Sequence, residues 1–230
     1  MFTVTRMSYK LVLYSLDISP PVRAVKVLAR LIGLELEIRD LDMFGGEHLK
    51  EPFSKINPER IVPTLDDKGF IVWDSHAICM YLADKYAKDD KLYPKDLQLR
   101  ARCNQRLFFD AASLFVRLRD CSLHIYQGGK EIPQDKIDPI YAAFDILEAF
   151  LSSDPFLVGQ NLTIADISVA VTILPLEIYA PLKADKHPKI LAWLNRVRQT
   201  IPFFDEMNVS LTKEYRDMLM GILEKNKQIA

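Results

Sequence analysis

Cysteine is scarce in this 230-residue chain: Cys79, Cys103 and Cys121 are the only three. So few and so scattered, they exclude a disulfide framework and a zinc site, and an odd, low count fits a reducing, cytoplasmic compartment. An excess of either charge is lacking too. Lys and Arg number 30 against 31 Asp and Glu, a net charge of −1, so no field draws the chain to nucleic acid or to an acidic membrane. The basic residues stand mostly beside acidic ones, as on a mixed solvated surface. Long apolar runs are missing. The longest, Ile164 to Leu176, contains Asp166 and Pro175, falls short of the roughly 18 residues that cross a bilayer, and reads as a buried helix. Met1 to Lys10 lack an apolar h-region, which argues against a secretory signal; Met7 is an alternative start, because the first regular pattern begins just after it. There is no repeat of 20–50 residues and no low-complexity segment.

What is present is 49% apolar and 27% charged, the make-up of a water-soluble globular protein with room for two small cores. Lys10 to Tyr14 reads as a strand. After a short loop, Ser19-Pro20-Pro21 fits a helix start, with Ser19 as N-cap and Pro20 as the first helical residue. Apolar spacing carries that helix to Leu31, and Gly33 fits its stop. Leu34 to Leu41 alternates as a half-buried strand, giving β-α-β with the two strands parallel. Thr64-Leu65 and Ile71 to Trp73 flank the turn Asp66 to Gly69 as a hairpin, and Ser75 to Tyr86 returns to helical spacing. Lys88 to Asp96 is a polar linker. Beyond it the spacing predicts helices over 99–120, 136–151, 163–174, 190–198 and 211–225, with Pro133, Pro139, Pro155, Pro181, Pro188 and Pro202 at the connections. The expected architecture is an α/β domain over residues 1–88, a linker over 89–97 and an all-helical domain over 98–230.

Three places carry chemistry. The hydroxyl of Ser19, at a helix N-terminus, would stabilise a bound thiolate and lower its pKa; the competing reading is a simple N-cap. No histidine is near it in sequence and no G-x-S-x-G elbow surrounds it, so the hydrolase signal is absent. In Ile61-Val62-Pro63-Thr64, a cis Val62-Pro63 bond would turn the Val62 backbone outward to pair with an extended peptide; cis bonds are only about 5–6% of X–Pro bonds, so the residues alone point to trans. Asp74-Ser75 starts a helix, and a carboxylate beside a hydroxyl and free N–H groups also suits a zwitterion. His48 and Arg60, in or beside loops, are donors for a second carboxylate. His76, His124 and His187 show no metal or catalytic spacing, and His76 reads as structural.

These signals occur together in one pattern. From about Lys10 to the last helix the chain resembles the soluble glutathione transferases of the insect delta and epsilon classes, epsilon more closely. The segments that carry the resemblance are LYSLDISPPVRAV (13–25), LDMFGGEHLK (41–50), NPERIVPTLDD (57–67), DSHAICMYLADKY (74–86), LYPKD (92–96), LFVRLR (114–119), FLVGQNLTIADIS (156–168) and HPKILAWLNRV (187–197). The resemblance implies a thioredoxin-like domain followed by a helical domain, glutathione as co-substrate, no metal, and a cytoplasmic homodimer. It implies that Ser19 bonds the glutathione sulfur, that Val62 and a cis Pro63 hold the cysteinyl backbone with Ile61 beside them, that Asp74 and Ser75 hold the γ-glutamyl end and His48 the glycyl end, and that Arg119 reaches the site. Arg60 stands where relatives commonly carry histidine, and Asp74 where many carry glutamate. Thr163 and Asp166 match the family's N-capping box without its usual Glu or Gln. Leu16, Phe44, Phe115, Leu118, Arg119, Ser122 and Leu123 are the expected walls of the electrophile site, Phe115, Leu118 and Ser122 sharing one helical face. The expected reaction is attack of the thiolate on an apolar electrophile. The alternatives are a hydrophobic-ligand carrier on the same fold, or a glutathione-dependent peroxidase or isomerase.

Overall fold

The computed structural model describes residues 10–229; the alternative start at Met7 and the extension before it lie outside them. β1 (Leu11–Ser15) is buried along its whole length because it is central: β2 (Leu36–Asp40) pairs with it in parallel and β3 (Thr64–Asp67) antiparallel, with β4 (Phe70–Trp73) beyond, in the order β2-β1-β3-β4. Leu13 faces Ile38 on one side and Leu65 on the other. The strand expected over 34–41 is shorter and mostly exposed, Ile38 at 40%, because it forms the sheet edge. Lys68 and Gly69 both take positive φ, 57° and 92°, which closes the hairpin as a tight two-residue turn.

α1 (Pro20–Leu31) is the parallel crossover, and α3 (Ser75–Tyr86) follows the hairpin. Between β2 and β3 lie two features the periodicity did not reveal, a 3-10 turn at Glu47–Leu49 and the one-turn α2 (Phe53–Ile56). The rest of the described chain is helical: α4 (Leu97–Phe109), α5 (Phe115–Tyr126), α6 (Gln134–Phe150), α7 (Ile164–Leu176), α8 (Pro188–Thr200) and α9 (Phe204–Gln228). The single helix expected over 99–120 is broken by a π-helical stretch, Asp110–Leu114, between α4 and α5. Pro139 lies inside α6 rather than at a connection, and Pro175 lies inside α7.

α7 is buried at every position and packs against α1, α3, α4, α5, α8 and α9, joining the two halves. Its start is held by Asp166, which lies fully buried. One carboxylate oxygen accepts from the Thr163 N–H and hydroxyl, both at 2.8 Å; the other accepts from the Leu157 N–H and the Trp193 indole, also at 2.8 Å. The box that lacked Glu or Gln in sequence is thus completed by the shorter Asp166. Burial pushes its carboxyl up, against these four bonds.

Candidate active site

The C-terminal end of β1 leads through Leu16 to Ile18 into Ser19, whose N–H donates to the Leu16 carbonyl at 2.9 Å. Ser19 is the N-cap of α1 in backbone conformation, but its hydroxyl makes no capping bond. Pro20 and Pro21 carry no N–H, so of the first three helical residues only Val22 keeps a donor. The hydroxyl is therefore the main polar group at this helix end, with the helix dipole behind it.

Ser19 itself lines neither of two depressions that its neighbours in the chain line. One is a cavity of about 360 Å³ between the sheet domain and the helices, bounded by Pro20, Pro21, Ile61, Val62 and Pro63 on one side and by Ala111, Phe115 and Arg119 on the other. The other is a groove of about 470 Å³, where Leu16, Ile18 and Phe44 face Leu211, Glu214 and Met218 of α9. Phe44 is 64% exposed at its edge.

The Val62-Pro63 bond is cis. Neither Val62 backbone group bonds another described residue. The loop before it is built by Asn57, which is fully buried and which the sequence reading passed over. Its side chain donates to the Ile61 carbonyl at 3.1 Å and to Thr64 Oγ1 at 2.8 Å, and accepts from the Glu59 N–H at 2.8 Å. An asparagine ahead of a proline in a turn was the available signal. Arg60 follows with φ of 59° and an exposed side chain. His48 is half-buried on the 3-10 turn, its Nδ1 buried without a protein partner. Neither lines the cavity itself.

Asp74 also has positive φ, 70°, and Oδ1 of its carboxylate accepts from the N–H groups of His76 and Ala77 at 2.9 and 3.0 Å. The helix-start reading holds, since Oδ1 caps α3, and Oδ2 makes no hydrogen bond among the described residues. Burial opposes its charge, but the bonds from His76 and Ala77 outweigh burial and hold the carboxyl below its ordinary value. Ser75, 5% exposed, lines the cavity beside it.

His76, read from sequence as structural, is part of the cavity wall. Its Nε2 lies 3.0 Å from Asp110 Oδ2, its Nδ1 3.3 Å from Asp74 Oδ1. Ser168 of α7 donates to the same Asp110 oxygen at 2.6 Å, while Asp110 Oδ1 is buried with no partner. Burial disfavours a charged imidazole, yet Asp110 and Asp74 together override it and push the pKa up to about 10. A cation therefore sits between two carboxylates at the cavity wall at neutral pH. Asp110 reaches it from the π-helical stretch, whose wider turn presents Asp110 and Ala111 to the cavity.

The expected electrophile walls divide. Leu16 and Phe44 line the groove; Phe115 and Arg119, one turn apart on α5, line the cavity. Leu118, Ser122 and Leu123 line neither. Leu118 is 2% exposed in the core. Ser122 is buried where α9 and α7 cover α5: it donates to the Leu118 carbonyl at 2.8 Å and pairs with the hydroxyls of Tyr215, at 2.6 Å, and Tyr179, at 3.1 Å. Leu123 is 43% exposed on another side of the helix. The shared face of α5 is thus covered by its neighbours beyond its first turn, and in the groove Leu16 and Phe44 face Leu211, Glu214 and Met218 of α9.

The chain matches the family model for the N-terminal domain of glutathione S-transferase over residues 13–90 and that for its C-terminal domain over residues 105–200. It is 36% identical over 216 residues to glutathione S-transferase D7 of Drosophila melanogaster, covering 93% of this chain and 96% of that one. An epsilon-class glutathione S-transferase from the housefly Musca domestica superposes with a TM-score of 0.89 at 40% identity, over 93% of this chain and 98% of that structure. A glutathione transferase homologue from Drosophila mojavensis, solved with bound glutathione, gives 0.88 at 37% identity over 92% and 97%. With both domains matched in order and relatives aligned over nearly their whole length, the chain belongs to the glutathione S-transferase family, among its insect delta and epsilon classes.

Proposed function

We propose that this glutathione S-transferase holds glutathione along the cavity with its sulfur at Ser19, and that the thiolate attacks an electrophile lodged in the groove under α9. What supports the reading is the Ser19 hydroxyl, unused as a cap, on the residue that links the groove-lining Leu16 and Ile18 to the cavity-lining Pro20 and Pro21. A hydroxyl that donates to sulfur, with a helix N-terminus behind it, favours thiolate over thiol. The Val62 N–H and C=O pair with the cysteinyl backbone beside Ile61 and Pro63. Ser75 and Asp74 Oδ2 receive the γ-glutamyl zwitterion, with the His76 cation between Asp74 and Asp110 in the wall behind them. His48 and Arg60 take the glycyl carboxylate, and Arg119 closes the cavity from the helical side. Leu16, Phe44, Leu211 and Met218 give the second substrate apolar contact.

The rate gain then comes from a larger thiolate fraction and from holding the two reactants side by side. Atoms balance without a covalent protein intermediate: sulfur bonds the electrophilic carbon, and the leaving group departs or the carbanion takes a proton from water. Ser19→Ala should lower turnover with an aryl halide roughly 10- to 1000-fold, as loss of one oxyanion-type donor does. Unchanged turnover would reduce Ser19 to a cap. Exposed apolar side chains on β4 and α4, Phe70 at 52%, Leu97 at 81% and Phe108 at 66%, support a homodimer. The three buried free cysteines fit a cytoplasmic setting.

A further inference from the structure

Arg23 is the least explained side chain of the molecule. It projects from α1, one turn after Ser19, whose carbonyl accepts its N–H at 3.1 Å. It is 1% exposed. No described carboxylate pairs with it. Nη1 donates to the Asn208 carbonyl at 2.9 Å and to Thr212 Oγ1 at 2.7 Å, both on α9, while Nε and Nη2 have no partner at all. Burial pulls the guanidinium down to about 10, still above neutrality, so it stays a cation. A buried cation balanced only by a carbonyl and a hydroxyl is a poor way to gain stability, since an apolar side chain of like size would fill the space without the desolvation. Its two bonds do something an apolar side chain would not: they fix one point of α9 in rotation and height against the helix that carries Ser19.

That point adjoins the groove. Asn208 and Thr212 bracket Leu211, and Glu214 and Met218 follow within two turns on the groove side. The other described ties of α9 include Arg198 with Asp205 and Arg30 with Glu206 at its start, Tyr215, within the wall, with Ser122, and Asn226 with the Ile125 and Gly129 carbonyls near its end. We propose that Arg23 is a positioning residue for the second substrate, locking the Leu211-to-Met218 wall of α9 at a set distance from the sulfur held by Ser19. The inference rests on the transferase reading and adds a specificity element to it: the side chain that sets the width of the electrophile groove touches neither substrate.

The test compares Arg23→Met, which keeps the apolar stem and removes the donors, with Arg23→Lys, which keeps a cation and one nitrogen for Asn208 and Thr212. Conjugation of chlorodinitrobenzene is followed with each substrate varied in turn. Arg23→Met should raise KM for the aryl halide about tenfold and leave KM for glutathione within about twofold, because the displaced wall belongs to one substrate only. Amide hydrogen exchange over residues 209–218 should speed up about tenfold or more in the same variant, with no fall in melting temperature. Arg23→Lys should recover most of both effects. Unchanged exchange with unchanged KM values would overturn the proposal, and so would an equal rise in both KM values, which would mean general loosening. A wild-type protein that binds no glutathione would sink the transferase reading by itself; the exchange measurement would still decide whether Arg23 holds α9.

Discussion

At Ser19, two prolines set the helix start, and the serine hydroxyl makes no capping bond among the described residues. The neighbouring cation is less obvious. His76 owes its charge to Asp110 and Asp74, and its pKa of about 10 lies above the ordinary histidine value of about 6.5. A group whose pKa is raised by folding adds stability that is complete below the unfolded value and is lost as pH climbs through the folded one. The melting temperature of the wild type should therefore exceed that of His76→Gln most at pH 6, with the gap narrowing as pH rises from about 6.5 and lost by about pH 10. A gap that is constant across this range would mean that His76 is neutral in the folded protein. Ser19 was legible from three consecutive residues, and Asp74-Ser75 from two. The His76–Asp110 pair was not, because 34 residues and a domain boundary separate them and neither has a local pattern. Asn57 was missed for a milder reason: its partners are two backbone groups and one hydroxyl within the next seven residues, which sequence spacing does not display.

Elements were most legible where one periodicity ruled. β1, α1, the hairpin and α3 follow their sequence limits to within one or two residues. α9 begins seven residues earlier than its apolar spacing indicated, since Phe204 to Ser210 are held by Arg23 and Arg30 rather than by a continuous apolar stripe. The π-helical stretch has no sequence signature of this kind, and it rotates Asp110 and Phe115 to the cavity while Leu118 and Ser122 turn inward. For α7 the critical position is Asp166. Removing its carboxylate orphans four donors in the core. Asp166→Ala should lower unfolding stability by about 3 kcal/mol or more in urea titration, given about 1–3 kcal/mol for each buried donor left unpaired. A loss below about 1 kcal/mol, within the range of an exposed helix cap, would show that the network is replaced by water.

Over the whole molecule, the site exists only because two domains meet. The sheet domain lines the cavity with Pro20, Val62 and Asp74 and the helical domain with Asp110 and Arg119, while α9 lines the groove. The change from strands to helices across the polar linker was visible in composition, but which helix faces would meet the sheet domain was not, since every face of α7 is apolar. The exposed Leu97 and Phe108 lie three turns apart on one side of α4. Sedimentation should give twice the mass of one chain for the wild type, and the double variant Leu97→Glu and Phe108→Glu should shift it toward a single chain with the fold retained. A wild type that sediments as one chain at micromolar concentration would refute the homodimer.

The central claim is that Ser19 holds glutathione as thiolate, and the ultraviolet absorbance of bound glutathione, titrated against pH in the wild type and in Ser19→Ala, reads it directly. The expected result is a thiol pKa well below that of free glutathione in the wild type, with that depression largely lost in the variant. A bound thiol titrating as it does in free solution, or a depression that survives in Ser19→Ala, would contradict the assignment of the sulfur to this hydroxyl.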